Sequence, residues 1–77
     1  MTLDIVISLF SEIISVPEDD LSGRTLLTPE YDVGVLDVAK LMIEIEKRFE
    51  VTIYDEDVHK FRTLKDVAEY VDALIEE

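Results

Sequence analysis

Seventy-seven residues allow one hydrophobic core and exclude a multidomain enzyme. Hydrophobic residues make up 48% of the chain and charged residues 34%, so it can bury a core and does not read as disordered; nineteen acidic against seven basic side chains leave a formal charge of −12, which repels phosphate backbones and anionic membranes and argues against nucleic acid or lipid as ligands. With no cysteine, disulfides, thiolate nucleophiles and Cys-based metal sites are excluded together.

From Leu3 the apolar residues Leu3, Val6, Ile7, Phe10, Ile13 and Ile14 recur at three-and-four spacing, which predicts a first helix with Thr2 as its cap and Pro17 as its end. Asp4 and Glu12 interrupt this stretch and no basic segment precedes it. A signal peptide or membrane span therefore does not fit, and a cytoplasmic location is expected.

Residues 17 to 34 hold both prolines, both glycines and the acidic run Glu18-Asp19-Asp20, with no sustained period. This predicts a long loop, pinned to the core through Leu21, Leu26, Leu27 and Tyr31, because an unanchored connection of that length is uncommon in so small a domain. A second helix follows from near Leu36 to about Glu50, with Val38, Leu41, Met42, Ile45 and Phe49 on one stripe. Either Gly34 or Asp32 can cap it, Asp32 being the stronger capping residue type.

Val51-Thr52-Ile53-Tyr54 alternates like a strand but has no partner strand, so it reads as an extended linker. Asp55-Glu56-Asp57 places negative charge at the start of a short helix expected to run through Lys60. Thr63-Leu64-Lys65-Asp66 has the form of a capping box with aspartate for the usual glutamate. Leu64, Val67, Ala68, Val71, Leu74 and Ile75 then give the last helix its apolar face. The sum is an all-α, antiparallel four-helix bundle of three long helices and one short, in a single domain over residues 1–77, with the relative direction of the first two helices left open.

From Gly34 to Val71 the residues resemble an acyl carrier protein, the small acidic bundle that carries acyl groups on a phosphopantetheine arm. Leu36-Asp37 is similar to the end of the family's Asp-Ser-Leu-Asp motif, Leu41 through Phe49 to its second helix, Ile53-Tyr54-Asp55-Glu56-Asp57 to its Ile-Pro-Asp-Glu-Asp segment, and Thr63 through Val71 to the start of its last helix. The resemblance implies an acyl-carrier-like four-helix bundle and a serine hydroxyl at the start of the second helix. Here that position is Val35, preceded by Gly34 where the family has aspartate, and a valine side chain has no oxygen from which to form the phosphodiester. Ser22 follows Asp19-Asp20-Leu21 but leads into loop sequence, while Ser8, Ser11 and Ser15 lie in the first helix.

The expected function is accordingly a non-catalytic docking or regulatory module linked to acyl, aminoacyl or peptidyl carrier pathways. The alternative is a genuine carrier whose attachment serine has been substituted at Val35. No cofactor is expected, phosphopantetheine entering only if Val35 replaces a native serine. Docking is expected through Leu36, Asp37, Lys40, Ile43, Glu46 and Lys47 of the second helix, on a protein with a basic or mixed-charge surface such as a synthase, ligase or transferase, by a monomer. Lys40 and Lys47 stand where the resemblance implies acid, and would repel a partner tuned to an all-acidic helix. Read as ordinary surface charges, these residues would instead make pairs one turn apart, such as Glu44 with Arg48.

Neither a catalytic nor a metal site is expected. His59 is the lone histidine and has no serine or cysteine at motif spacing. Asp55-x-Asp57 lacks the glycine and glutamate that would complete a calcium loop.

Overall fold

The computed structural model describes residues 2–27 and 34–76, and these form α1 (Thr2–Ile14), α2 (Val35–Phe49), a one-turn α3 (Asp55–Val58) and α4 (Leu64–Ile75). α1 packs against both α2 and α4. The core is drawn from all three long helices: Val6 and Phe10 from α1, Leu41, Met42 and Ile45 from α2, and Leu64, Val67, Ala68 and Val71 from α4. Ile53 joins them from the linker, which is extended as its sequence requires. These are the stripes that the three-and-four spacing puts on one face of each helix, and their removal from water is the main driving force for the bundle. Ile75 departs from its stripe and is 49% exposed, one turn beyond the point where α1 meets α4.

Helix ends are where the structure corrects the sequence reading. α1 stops at Ile14, three residues short of Pro17, because Ser15 turns left-handed with φ of 58° and the Val16 amide donates back to the Ser11 carbonyl at 3.2 Å. Pro17 instead opens a 3₁₀ turn over Glu18–Asp20. Thr2 is no cap: it lies inside α1, and its hydroxyl donates to the Asp72 carboxylate of α4. α3 closes at Val58, short of Lys60, as the Lys60 and Phe61 amides turn back to the carbonyls of Asp57 and Val58.

The long loop is anchored by more than apolar side chains. Leu21 and Leu27 pack on the core, and Leu26 forms an antiparallel bridge with Thr63. Tyr31 and Asp32 lie outside the described residues.

The first amides of a helix have no carbonyl within the helix to bond. At α4 the loop supplies acceptors, the Leu64 amide donating to Thr25 O at 3.2 Å and the Lys65 amide to Gly23 O at 3.0 Å. The third amide, of Asp66, donates to the Thr63 hydroxyl at 3.2 Å, and the Asp66 carboxylate in return accepts from the Arg62 and Thr63 amides at 3.0 and 3.1 Å. This is the capping box expected from sequence, extended by one residue. Gly23 has to be small here, since a Cβ would stand 3.2 Å from the Leu3 side chain and 3.4 Å from Lys65 Cβ.

Candidate functional site

The residues singled out for docking lie on α2, whose first residue is Val35 and whose N-cap is Gly34. Lacking a side-chain oxygen, Gly34 gives half a capping box: its amide donates to the Asp37 carboxylate at 3.1 Å, and its carbonyl accepts from the Asp37 and Val38 amides. At the other end Glu50 turns left-handed, with φ of 55°, and the Val51 amide reaches back to Glu46 O at 3.3 Å.

Between those ends Leu36, Lys40, Ile43 and Lys47 follow one another at steps of four, three and four, and so fall within about 60° of arc on the helix surface. The core residues Leu41 and Ile45 occupy the opposite side. The stripe therefore faces water, with Leu36 75% and Ile43 50% exposed and both lysines exposed. Large apolar side chains left in water at regular spacing between charges make a surface suited to a protein partner.

Two of the six expected docking residues have other work. Asp37 is half-buried and commits a carboxylate oxygen to the N-cap. Glu46 is also half-buried, and its carboxylate accepts the Ile53 amide at 2.9 Å, holding the extended linker against α2. They flank the stripe without belonging to it. The pairing of Glu44 with Arg48 is not formed. Among the described residues the ion pair is Asp57 with Lys60, at 3.4 Å.

A second polar cluster was not anticipated. The Tyr70 hydroxyl donates to Asp57 at 2.7 Å, and the Tyr70 ring stacks edge-on against Phe61 with centroids 5.1 Å apart. That hydrogen bond holds the Asp57 carboxyl below its usual range, with Lys60 adding to it, and pushes Tyr70 up to about 12. Asp66 is likewise lowered, first by the Arg62 amide. In effect the cluster bolts α3 to α4. A shallow cleft of about 310 Å³ lies beside it, and another of about 410 Å³ lies between the end of α1 and the loop at Leu21 and Arg24. Neither is lined by α2. His59 is exposed beyond the end of α3.

The serines offer no substitute at the start of α2. Ser22 is exposed but built into a turn, its amide donating to the Thr25 hydroxyl at 2.9 Å and its own hydroxyl accepting from the Arg24 amide at 3.1 Å. Ser8 and Ser11 are half-buried within α1, where the Ser11 hydroxyl donates to Val16 O at 2.5 Å. Ser15 is the left-handed residue that ends α1. A prosthetic group that needs a hydroxyl at the N-terminus of α2 thus does not fit Gly34-Val35-Leu36.

Comparison with known proteins bears on both the fold and this mismatch. The family model described as "Phosphopantetheine attachment site" matches residues 4–71. The chain is 32% identical over 73 residues to the acyl carrier protein of Campylobacter jejuni subsp. doylei, covering 95% of each chain. It is 29% identical over 72 residues to that of Helicobacter hepaticus, covering 94% of this chain and 95% of the relative. To that of Clostridium perfringens it is 30% identical over 63 residues, covering 82% and 83%.

Proposed function

The chain belongs to the acyl carrier protein family, and on that premise we propose that it is a carrier-like module that is not loaded with phosphopantetheine and acts by docking the exposed face of α2 on a protein of a carrier pathway. The observation that carries the reading is Val35 as the first residue of α2, directly before the Leu36-Asp37 pair that resembles the end of the attachment motif. A tertiary carbon bearing two methyl groups cannot attack a phosphoryl centre, so the attachment chemistry stops there whatever the surrounding fold.

The role that remains is recognition. It is non-catalytic, performed in the cytoplasm by a single-domain monomer that occupies, scaffolds or regulates a carrier-binding surface on a synthase, ligase or transferase. Among the described residues no helix is long and apolar enough to cross a membrane. The docking residues are Leu36, Lys40, Ile43 and Lys47, flanked by Asp37 and Glu46.

Incubation with a phosphopantetheinyl transferase and coenzyme A is expected to leave the intact mass unchanged. A gain equal to the arm, mapped to any serine, would refute the unloaded module. A second reading, a genuine carrier with its serine substituted, is favoured by the family match running through both sides of position 35. It requires that Val35→Ser with Gly34→Asp restore loading at residue 35. A folded double variant that stays unloaded counts against it.

A further inference from the structure

Resting on the docking reading above, we infer that the α2 face takes an acidic protein surface: carboxylates set around two apolar sockets about 10 Å apart, which receive Leu36 and Ile43 while Lys40 and Lys47 meet the carboxylates. The spacing follows from seven residues of helical rise between the two apolar side chains. Both lysines are exposed, and among the described residues neither is within ion-pair distance of an acid, so their charge is not neutralised within the chain.

A net charge of −12 argues for a basic partner, and the two effects compete. Distance decides between them. Exposed charges act over a screening length of about 8 Å at physiological salt, whereas the molecule measures 33 × 25 × 19 Å. Most of the negative charge therefore lies beyond reach of a group seated on the stripe, and the nearest charges are Lys40 and Lys47. Net charge governs the approach, and local sign governs which surface stays bound. An anionic bilayer is disfavoured because a flat sheet meets much more of the acidic molecule than the stripe, while two lysines contribute only about 1 kcal/mol each.

The test uses the whole protein in extract of its source cell, with a diazirine analogue of leucine at position 43 and, separately, carbodiimide coupling of lysine amines to carboxylates in contact. A photo-link from position 43 to one protein is expected, together with amide links from Lys40 and Lys47 to Asp or Glu of the same region of that protein. Lys40→Arg with Lys47→Arg should abolish the amide links and keep the photo-link, since the charge stays while the amine is gone. Lys40→Glu with Lys47→Glu should reduce the photo-link about tenfold, with helicity by circular dichroism unchanged because both sites are exposed. A photo-link that survives or strengthens in the glutamate variant overturns the acidic partner and leaves docking through α2 standing. A photo-link to lipid or to a second copy of the chain also overturns it. No photo-link from position 43 overturns docking through α2 as well.

Discussion

Asp57 and Tyr70 stand thirteen residues apart in the chain and 2.7 Å apart in the fold, and their hydrogen bond sets how the bundle answers to pH. Tyr70 has its proton held up to about 12 by Asp57, against about 10 in an unfolded chain. Between those values the folded state keeps a proton that the unfolded state has lost. The stabilisation is therefore complete below about pH 10 and disappears as pH rises toward 12. On the acid side Asp57 and Asp66 have lowered values, so what they contribute is present above the ordinary carboxylate range near pH 4 and is lost as pH falls below it. Tyr70→Phe is expected to abolish a late step in a phenolate absorbance titration and to flatten the fall in melting temperature between about pH 10 and 12. An unchanged late step would show that Tyr70 is not the shifted group. The Thr63–Asp66 capping box was legible in the sequence because its partners sit three residues apart on one turn. The Asp57–Tyr70 bond, and the Glu46 carboxylate on the Ile53 amide, were not, because no local pattern announces a contact made by tertiary packing.

α2 carries two surfaces on one fifteen-residue helix, and substitutions separate them. Leu41 and Ile45 are fully buried against α1 and the rest of the core, so Leu41→Ala or Ile45→Ala should cost roughly 2–5 kcal/mol in urea denaturation, the loss of transfer energy plus the cavity left behind. Leu36→Ala should change stability by no more than roughly 0.5 kcal/mol, since that side chain is already in water. A large loss at Leu36 would mean that it is a structural residue, and the docking face would lose its first anchor. Periodicity made the buried stripe readable, because a 3.6-residue repeat of Val38, Leu41, Met42, Ile45 and Phe49 leaves one side of the helix apolar. The exposed stripe was only half readable. Sequence resemblance grouped Asp37 and Glu46 with Leu36, Lys40, Ile43 and Lys47, and it took the hydrogen bonds at the N-cap and the linker to set those two acids apart.

Across the whole molecule, a charge of −12 is spread over a body 33 Å in its longest dimension, with one ion pair among the described residues. Screening then removes more repulsion than attraction. Raising sodium chloride from about 20 to 200 mM should stabilise the fold by on the order of 1 kcal/mol, read as a rise of about 4–8 °C in melting temperature. A fall would mean that attractive pairs outweigh self-repulsion. By itself the sequence determined the number of helices, their apolar faces, the extended linker, the carrier-family resemblance and the absence of a hydroxyl at residue 35, all properties of residue identity and short-range spacing. Only the tertiary structure decided where α1 ends, how the loop amides and carbonyls fasten to α4, and which charges of α2 are spent inside the chain. Those outcomes depend on which backbone groups packing leaves without a partner, and a hydrogen bond between residues far apart in sequence has no spacing from which it can be read.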